Sequence, residues 1–127
     1  MIPMNYRARY PFVRNEPRAD VWLEPSHPGS PNYLCLVDTG AEYLQLPYAA
    51  AAQVGLSLVH APTKAFNTAG GTVSLPYLTA LSVEIEGYLV TVDVVFDTQT
   101  MPLMLLGRRA LLAAYKVGFN ASEWLSD

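Results

Sequence analysis

The chain has 127 residues, 51% hydrophobic and 15% charged, with a net charge of −3. That length suits one domain with a single core, and the balance excludes intrinsic disorder and argues against nucleic acid as a partner. One cysteine, Cys35, leaves no internal disulfide and no cysteine-rich metal site. His27 and His60 share no ligand spacing, so neither a metal nor another cofactor is expected. Residues 1–7 lack the apolar core of a signal peptide, and no run approaches a membrane span. A cytoplasmic protein with no membrane partner is therefore expected. So much apolar sequence in a small chain also suggests surface buried between subunits. Arg7, Arg9, Arg14 and Arg18 cluster early, but Glu16, Asp20 and Glu24 neutralise them, which reads as a solvated face.

Ten prolines and eight glycines punctuate short apolar segments, the pattern of a mainly β fold with tight turns. Residues 5–13 alternate loosely as a first strand. Residues 20–24 form a second, with Trp22 and its flanking acids expected on opposite faces. Three prolines make 25–31 a long hairpin loop. Residues 33–37 are uniformly apolar and read as a fully buried central strand. Residues 48–54 are strong helix formers stopped by Gly55, a C-cap residue. Residues 59–77 read as strand, turn, strand, with 67–72 as a small-residue turn that is either a hairpin tip or a lid. A second hairpin pairs 78–85 with 89–96 through Glu86-Gly87-Tyr88. Residues 101–106 form another buried apolar strand ended by Gly107. Helical spacing over 108–115 puts Leu111, Leu112 and Tyr115 on one face. Residues 117–120 return to extended structure, and the tail 121–127 carries one large anchor, Trp124. The whole chain, 1–127, is expected to be one domain.

Asp38-Thr39-Gly40 ends the apolar run 33–37, so hydrophobic sequence aims this carboxylate. Burying it costs several kcal/mol unless it is hydrogen-bonded or keeps a proton. Gly40 lets the backbone turn and bring its N–H to the carboxylate, and the Thr39 hydroxyl can brace the loop. Alone, the tripeptide reads either as an Asx-Gly turn or as an acid–base site.

Two apolar strands, one ending in Asp38-Thr39-Gly40 and one in Leu105-Leu106-Gly107-Arg108 before a helix, stand in order with a Gly-Gly-tipped hairpin between them. This arrangement resembles the retropepsin-like aspartic proteases, the small dimeric relatives of pepsin. The matching stretches are Leu36-Val-Asp-Thr-Gly-Ala-Glu42, Thr68-Ala-Gly-Gly-Thr72, Leu105-Leu-Gly-Arg-Arg-Ala-Leu-Leu112 and Val117-Gly-Phe-Asn120, a core of about residues 20–120. The overall sequence looks more like a bacterial cytoplasmic member than a viral one. Tyr43, the Pro-rich loop 25–31 and the tail 121–127 depart from viral relatives.

The resemblance implies a closed acid-protease barrel with a flap hairpin and one or two short helices. It implies an aspartic endopeptidase acting on a peptide or protein substrate as a homodimer. The chain supplies one Asp38, so a two-fold partner must supply the other. Asp38, Thr39 and Gly40 would form the catalytic loop, Thr39 bonding across the dimer axis. Gly40, Ala41 and Glu42 would hold substrate from below, and Ala69, Gly70 and Gly71 at the flap tip from above. Glu42, Gly107 and Arg108 would support the site, Glu42 and Arg108 as a bidentate pair. The N-terminal strand and the tail are candidates for the dimer interface. The alternative is a non-catalytic dimerisation or peptide-binding module on the same fold.

Overall fold

A computed structural model of the chain describes residues 8–114, 117–119 and 122–126. Residues 5–7 of the expected first strand, Tyr115 of the expected helix face, Asn120, and tail residues 121 and 127 lie outside these. Among the described residues the fold is mainly β, with two short helices. Strands β2 (Arg18–Leu23), β3 (Asn32–Val37), β4 (Leu44–Pro47), β5 (Thr63–Thr68), β6 (Gly71–Ile85), β7 (Tyr88–Asp97) and β8 (Leu105–Leu106) make a seven-stranded sheet. Its order is β2-β3-β8-β4-β7-β6-β5, and β2 also pairs with β6, which closes the sheet into a ring. Helix α1 spans Ala49–Gln53 and helix α2 spans Arg108–Ala114. This is the retropepsin-like fold.

The ring encloses the core. Val21, Leu23, Cys35, Leu44, Leu46, Val83, Ile85, Val94, Phe96, Leu106 and Leu111 are all fully buried in one cluster. Burial pushes the Cys35 thiol up to about 12, with Arg18 lowering it and Asp20 raising it more weakly, so it stays a neutral core group.

The long hairpins form where the alternation placed them, with differences that follow from pairing. Residues 73–77 and 78–85 belong to one 15-residue strand, β6, which pairs with β5 at one end and β7 at the other. A bulge between Leu78 and Leu81, with Ala80 at φ +56°, bends it from one hairpin to the next. Gly87 turns the second hairpin at φ +87°, a conformation that favours glycine. Gly55 ends α1 as expected, at φ +72°.

Four expectations change. Residues 33–37 are not uniformly buried: Cys35 and Val37 point into the core, while Leu34 is 43% exposed. Trp22 and Asp20 share the outer face, as a period of two requires, and the indole N–H bonds the Asp20 carboxylate at 3.2 Å. Of residues 101–106, only Leu105–Leu106 is strand, and Met101 and Leu103 are exposed. On α2, Ala110 and Leu111 face the core and Leu112 faces outward.

Strands β1 (Ala8–Pro11), β9 (Val117–Phe119) and β10 (Glu123–Ser126) make a separate three-stranded sheet, β1-β10-β9. Trp124 anchors it, as its size suggested. The indole is fully buried, stacks on Tyr10 at 4.1 Å between centroids, and donates to the Arg18 carbonyl at 2.8 Å. Among the described residues no helix is long and apolar enough to cross a membrane.

Candidate active site

Asp38 is the first residue past β3. Its N–H donates to the Leu106 carbonyl at 3.1 Å, which ties it to the end of β8, and the Leu36 N–H donates to Met104 at 2.9 Å. The two strands run parallel, Leu36 beside Leu105 and Val37 beside Leu106. Beyond them the chain turns: the Ala41 N–H returns to the Asp38 carbonyl at 3.2 Å. The same turn delivers the Gly40 N–H to Asp38 Oδ1 at 2.9 Å, as the glycine suggested. A Cβ on Gly40 would lie 3.1 Å from that oxygen, tighter than ordinary contact. The other oxygen, Oδ2, accepts no hydrogen bond among the described residues. Asp38 is half-buried, while Thr39 and Gly40 are exposed. The result is a carboxylate fixed on one side and open on the other.

Gly107 locks the second motif onto the first. A Cβ there would lie 2.3 Å from the Tyr43 carbonyl oxygen, so only glycine lets the two backbones meet. Immediately after it, the Arg108 N–H donates to the Ala41 carbonyl at 2.9 Å and the Arg109 N–H to the Glu42 carbonyl at 3.0 Å. Both amides open α2, where no carbonyl of the helix could take them. Loop and helix therefore satisfy each other's backbone groups. Residues 29–112, more than half of the chain, match the family described as gag-polyprotein putative aspartyl protease. The chain belongs to this aspartyl protease family. Comparison with curated proteins gave no match.

Within this family site, the ion pair expected between Glu42 and Arg108 forms with the next arginine. Arg109 Nε and Nη2 both lie 2.7 Å from Glu42 Oε1. Arg108 instead points its guanidinium at the Gly40 carbonyl, with Nη1 at 3.4 Å. Neighbouring residues on a helix point about 100° apart, so the phase at which α2 begins decides which arginine meets Glu42.

A pocket of about 340 Å³ opens beside the loop, lined by Gly40, Ala41, Glu42, Tyr43, Gln45, Phe66, Val95, Leu105 and Arg108. Phe66 comes from β5 and meets the Tyr43 ring edge-on, centroids 6.4 Å apart. The expected flap hairpin thus borders the Asp38 loop through its inward face. Its tip is a two-residue turn, Ala69-Gly70, followed by Gly71 at φ +117°. Ala69, Gly70 and Gly71 are exposed and line none of this pocket. Across Leu105 a second pocket of about 240 Å³ is lined by Glu16, Arg18, Leu36, Pro102, Leu103, Met104 and Leu105. Tyr43 is a wall of the first pocket and Leu103 of the second.

Phe66, Gln45, Val95 and Arg109 escaped sequence reasoning. Phe66 carried a usable signal, since in a strand it shares a face with Lys64, but what that face meets depends on a long-range approach. Among the described residues no group of three or more His, Cys, Asp or Glu gathers to hold a metal.

Proposed function

We propose that the chain is one subunit of a homodimeric aspartic endopeptidase, with Asp38 of each subunit contributing to one active site. What carries this reading is the held geometry of Asp38: Oδ1 bonded to the Gly40 N–H, Oδ2 open, in a loop interlocked with Gly107. A half-buried carboxylate held this way is set up to exchange a proton.

Two such carboxylates brought together cannot both ionise cheaply and share one proton. The ionised member takes a proton from water as that water attacks the peptide carbonyl carbon. The protonated member donates to the carbonyl oxygen, and the tetrahedral intermediate breaks the C–N bond as the amine gains a proton. The Thr39 hydroxyl, exposed and without a hydrogen bond among the described residues, is available to bond the partner loop. Gly40, Ala41 and Glu42 flank an extended peptide, and Ala69, Gly70 and Gly71 close over it. Glu42, Gly107 and Arg108 support the loop, with Arg109 added to them.

Among the described residues β1 and β9 are the edges of the three-stranded sheet, and these edges and the Asp38 loops are where the reading puts the partner.

Asp38→Asn tests the reading. Peptide cleavage disappears while the melting temperature and the dimer mass persist. Undiminished cleavage by the variant refutes the proposal. A parent that dimerises and binds peptide without cleaving it is the binding module instead.

A further inference from the structure

The pocket beside the Asp38 loop is lined by a cation without a carboxylate partner among the described residues. Of its two charged lining residues, Glu42 is already committed, its Oε1 held by both Arg109 nitrogens at 2.7 Å. Arg108 is not: among the described residues it has no carboxylate partner, and its only side-chain bond is the 3.4 Å contact with the Gly40 carbonyl. Lys64 adds a second cation. It sits two residues before Phe66 on β5, with Nζ 4.3 Å from the Tyr77 centroid and 5.1 Å from the Tyr43 centroid. No carboxylate pairs with it among the described residues. Aromatic faces attract the ammonium but leave it N–H groups to spare. Arg108 lines the pocket and Lys64 stands beside its Tyr43 wall, while the one carboxylate behind the pocket among the described residues, Asp97, is buried and bonded to Gln45.

We infer that this pocket takes an acidic side chain of the peptide substrate, with Arg108 as the residue that selects it; the inference rests on the endopeptidase reading. The methylenes of a glutamate lie along Val95 and Leu105, and its carboxylate meets the guanidinium at the rim. Charge-assisted bonds of this kind are about twice as strong as neutral ones. Lys64 strengthens the field without needing contact. A lysine in the same place is repelled by both cations, and a glutamine loses the charge while keeping the shape. The Asp38 pair opposes an incoming acid with only one negative charge, since it shares a proton.

The test is an octapeptide set with an apolar central pair, each flanking position carrying Glu, Gln, Lys or Leu in turn. Purified parent, Arg108→Ala, Arg108→Glu and Lys64→Ala are compared by the ratio of kcat/KM for Glu over Gln, which is independent of the active fraction. At one position the parent favours Glu by about tenfold, a difference of about 1.4 kcal/mol. Arg108→Ala brings that ratio close to one, Lys64→Ala lowers it partly, and Arg108→Glu turns the preference toward Lys. A parent without a Glu preference at any position overturns the inference, as does a preference that survives in both Arg108 variants. Should the parent cleave none of the set, the same ratio is read from peptide Kd values. A Glu preference lost in Arg108→Ala then upholds the pocket and counts against the peptidase alone. Equal affinities, or no binding by any peptide, overturn the pocket.

Discussion

Arg109 holds Glu42 by placing Nε and Nη2 on a single carboxylate oxygen, both at 2.7 Å. The same guanidinium lies 5.2 Å from the centre of the Tyr43 ring. One side chain of α2 therefore grips two consecutive residues of the loop that follows Asp38, while Arg108 reaches only the Gly40 carbonyl among the described residues.

A double-mutant cycle separates the two arginines. The Glu42 and Arg109 side chains are 37% and 61% exposed, so solvent screens the pair. Glu42→Gln with Arg109→Gln is expected to show a coupling of about 0.5–1 kcal/mol in urea unfolding. The cycle of Glu42→Gln with Arg108→Gln is expected near zero. Equal couplings, or a larger one through Arg108, contradict the observed pairing.

Gly107→Ala is expected to cost far more than its single methyl suggests. The new Cβ meets the Tyr43 carbonyl oxygen at 2.3 Å and two further Tyr43 backbone atoms at 2.7 Å, and backbone on both sides cannot yield cheaply. The loss should exceed about 3 kcal/mol in urea unfolding. Gly87→Ala is the control: it has open space and only its φ of +87° to accommodate, so about 1 kcal/mol is expected. Similar losses for the two would mean that the loop and helix are not locked at Gly107.

These contrasts also explain what the sequence made legible. The Asp38 loop, the Gly107 motif and the long hairpins announce themselves because glycine placement and strict alternation are local signals. Strand β4 does not. Leu44–Pro47 is only four residues, and it becomes a strand by lying parallel to β7, some fifty positions away. The ion pair was legible as a type but not as a residue, because two adjacent arginines differ only in helix phase. The same phase puts Leu112 outside and Ala110 inside. Leu103 is exposed because the chain before it is pinned by a buried carboxylate, a contact that no periodicity announces.

Glu86 predicts how stability changes with pH. Burial pushes its carboxyl above the usual 4.5; the hydrogen bond from the Asp20 N–H lowers it and the Asp20 charge raises it. A raised folded value means that the folded state holds the proton more tightly. Its contribution is complete below the ordinary value and is lost as pH rises through the raised one. Glu86→Gln keeps an oxygen for the Asp20 N–H, now 2.7 Å from Glu86 Oε1, and removes the charge. It is expected to melt higher than the parent at pH 7, with the difference closing below pH 4.5. A variant destabilised equally at both pH values would show that the hydrogen bond, not the charge, governs Glu86.

Asp97 is only 1% exposed, and no cation balances it among the described residues. Its Oδ1 accepts the Gln99 N–H at 3.0 Å, and its Oδ2 accepts the Leu103 N–H at 2.8 Å and Gln45 Nε2 at 3.2 Å. Gln45 lines the pocket beside the Asp38 loop and Leu103 the pocket across Leu105, so one carboxylate braces walls of both. Asp97→Asn replaces one acceptor with a donor and sets N–H against N–H at one end of this brace. A loss of about 1–3 kcal/mol in urea unfolding is expected. The released loop carries Leu103 away from its pocket, so KM for peptides with apolar residues rises more than kcat falls. A variant as stable as the parent, or one whose kcat falls with KM unchanged, would place Asp97 outside this positioning role.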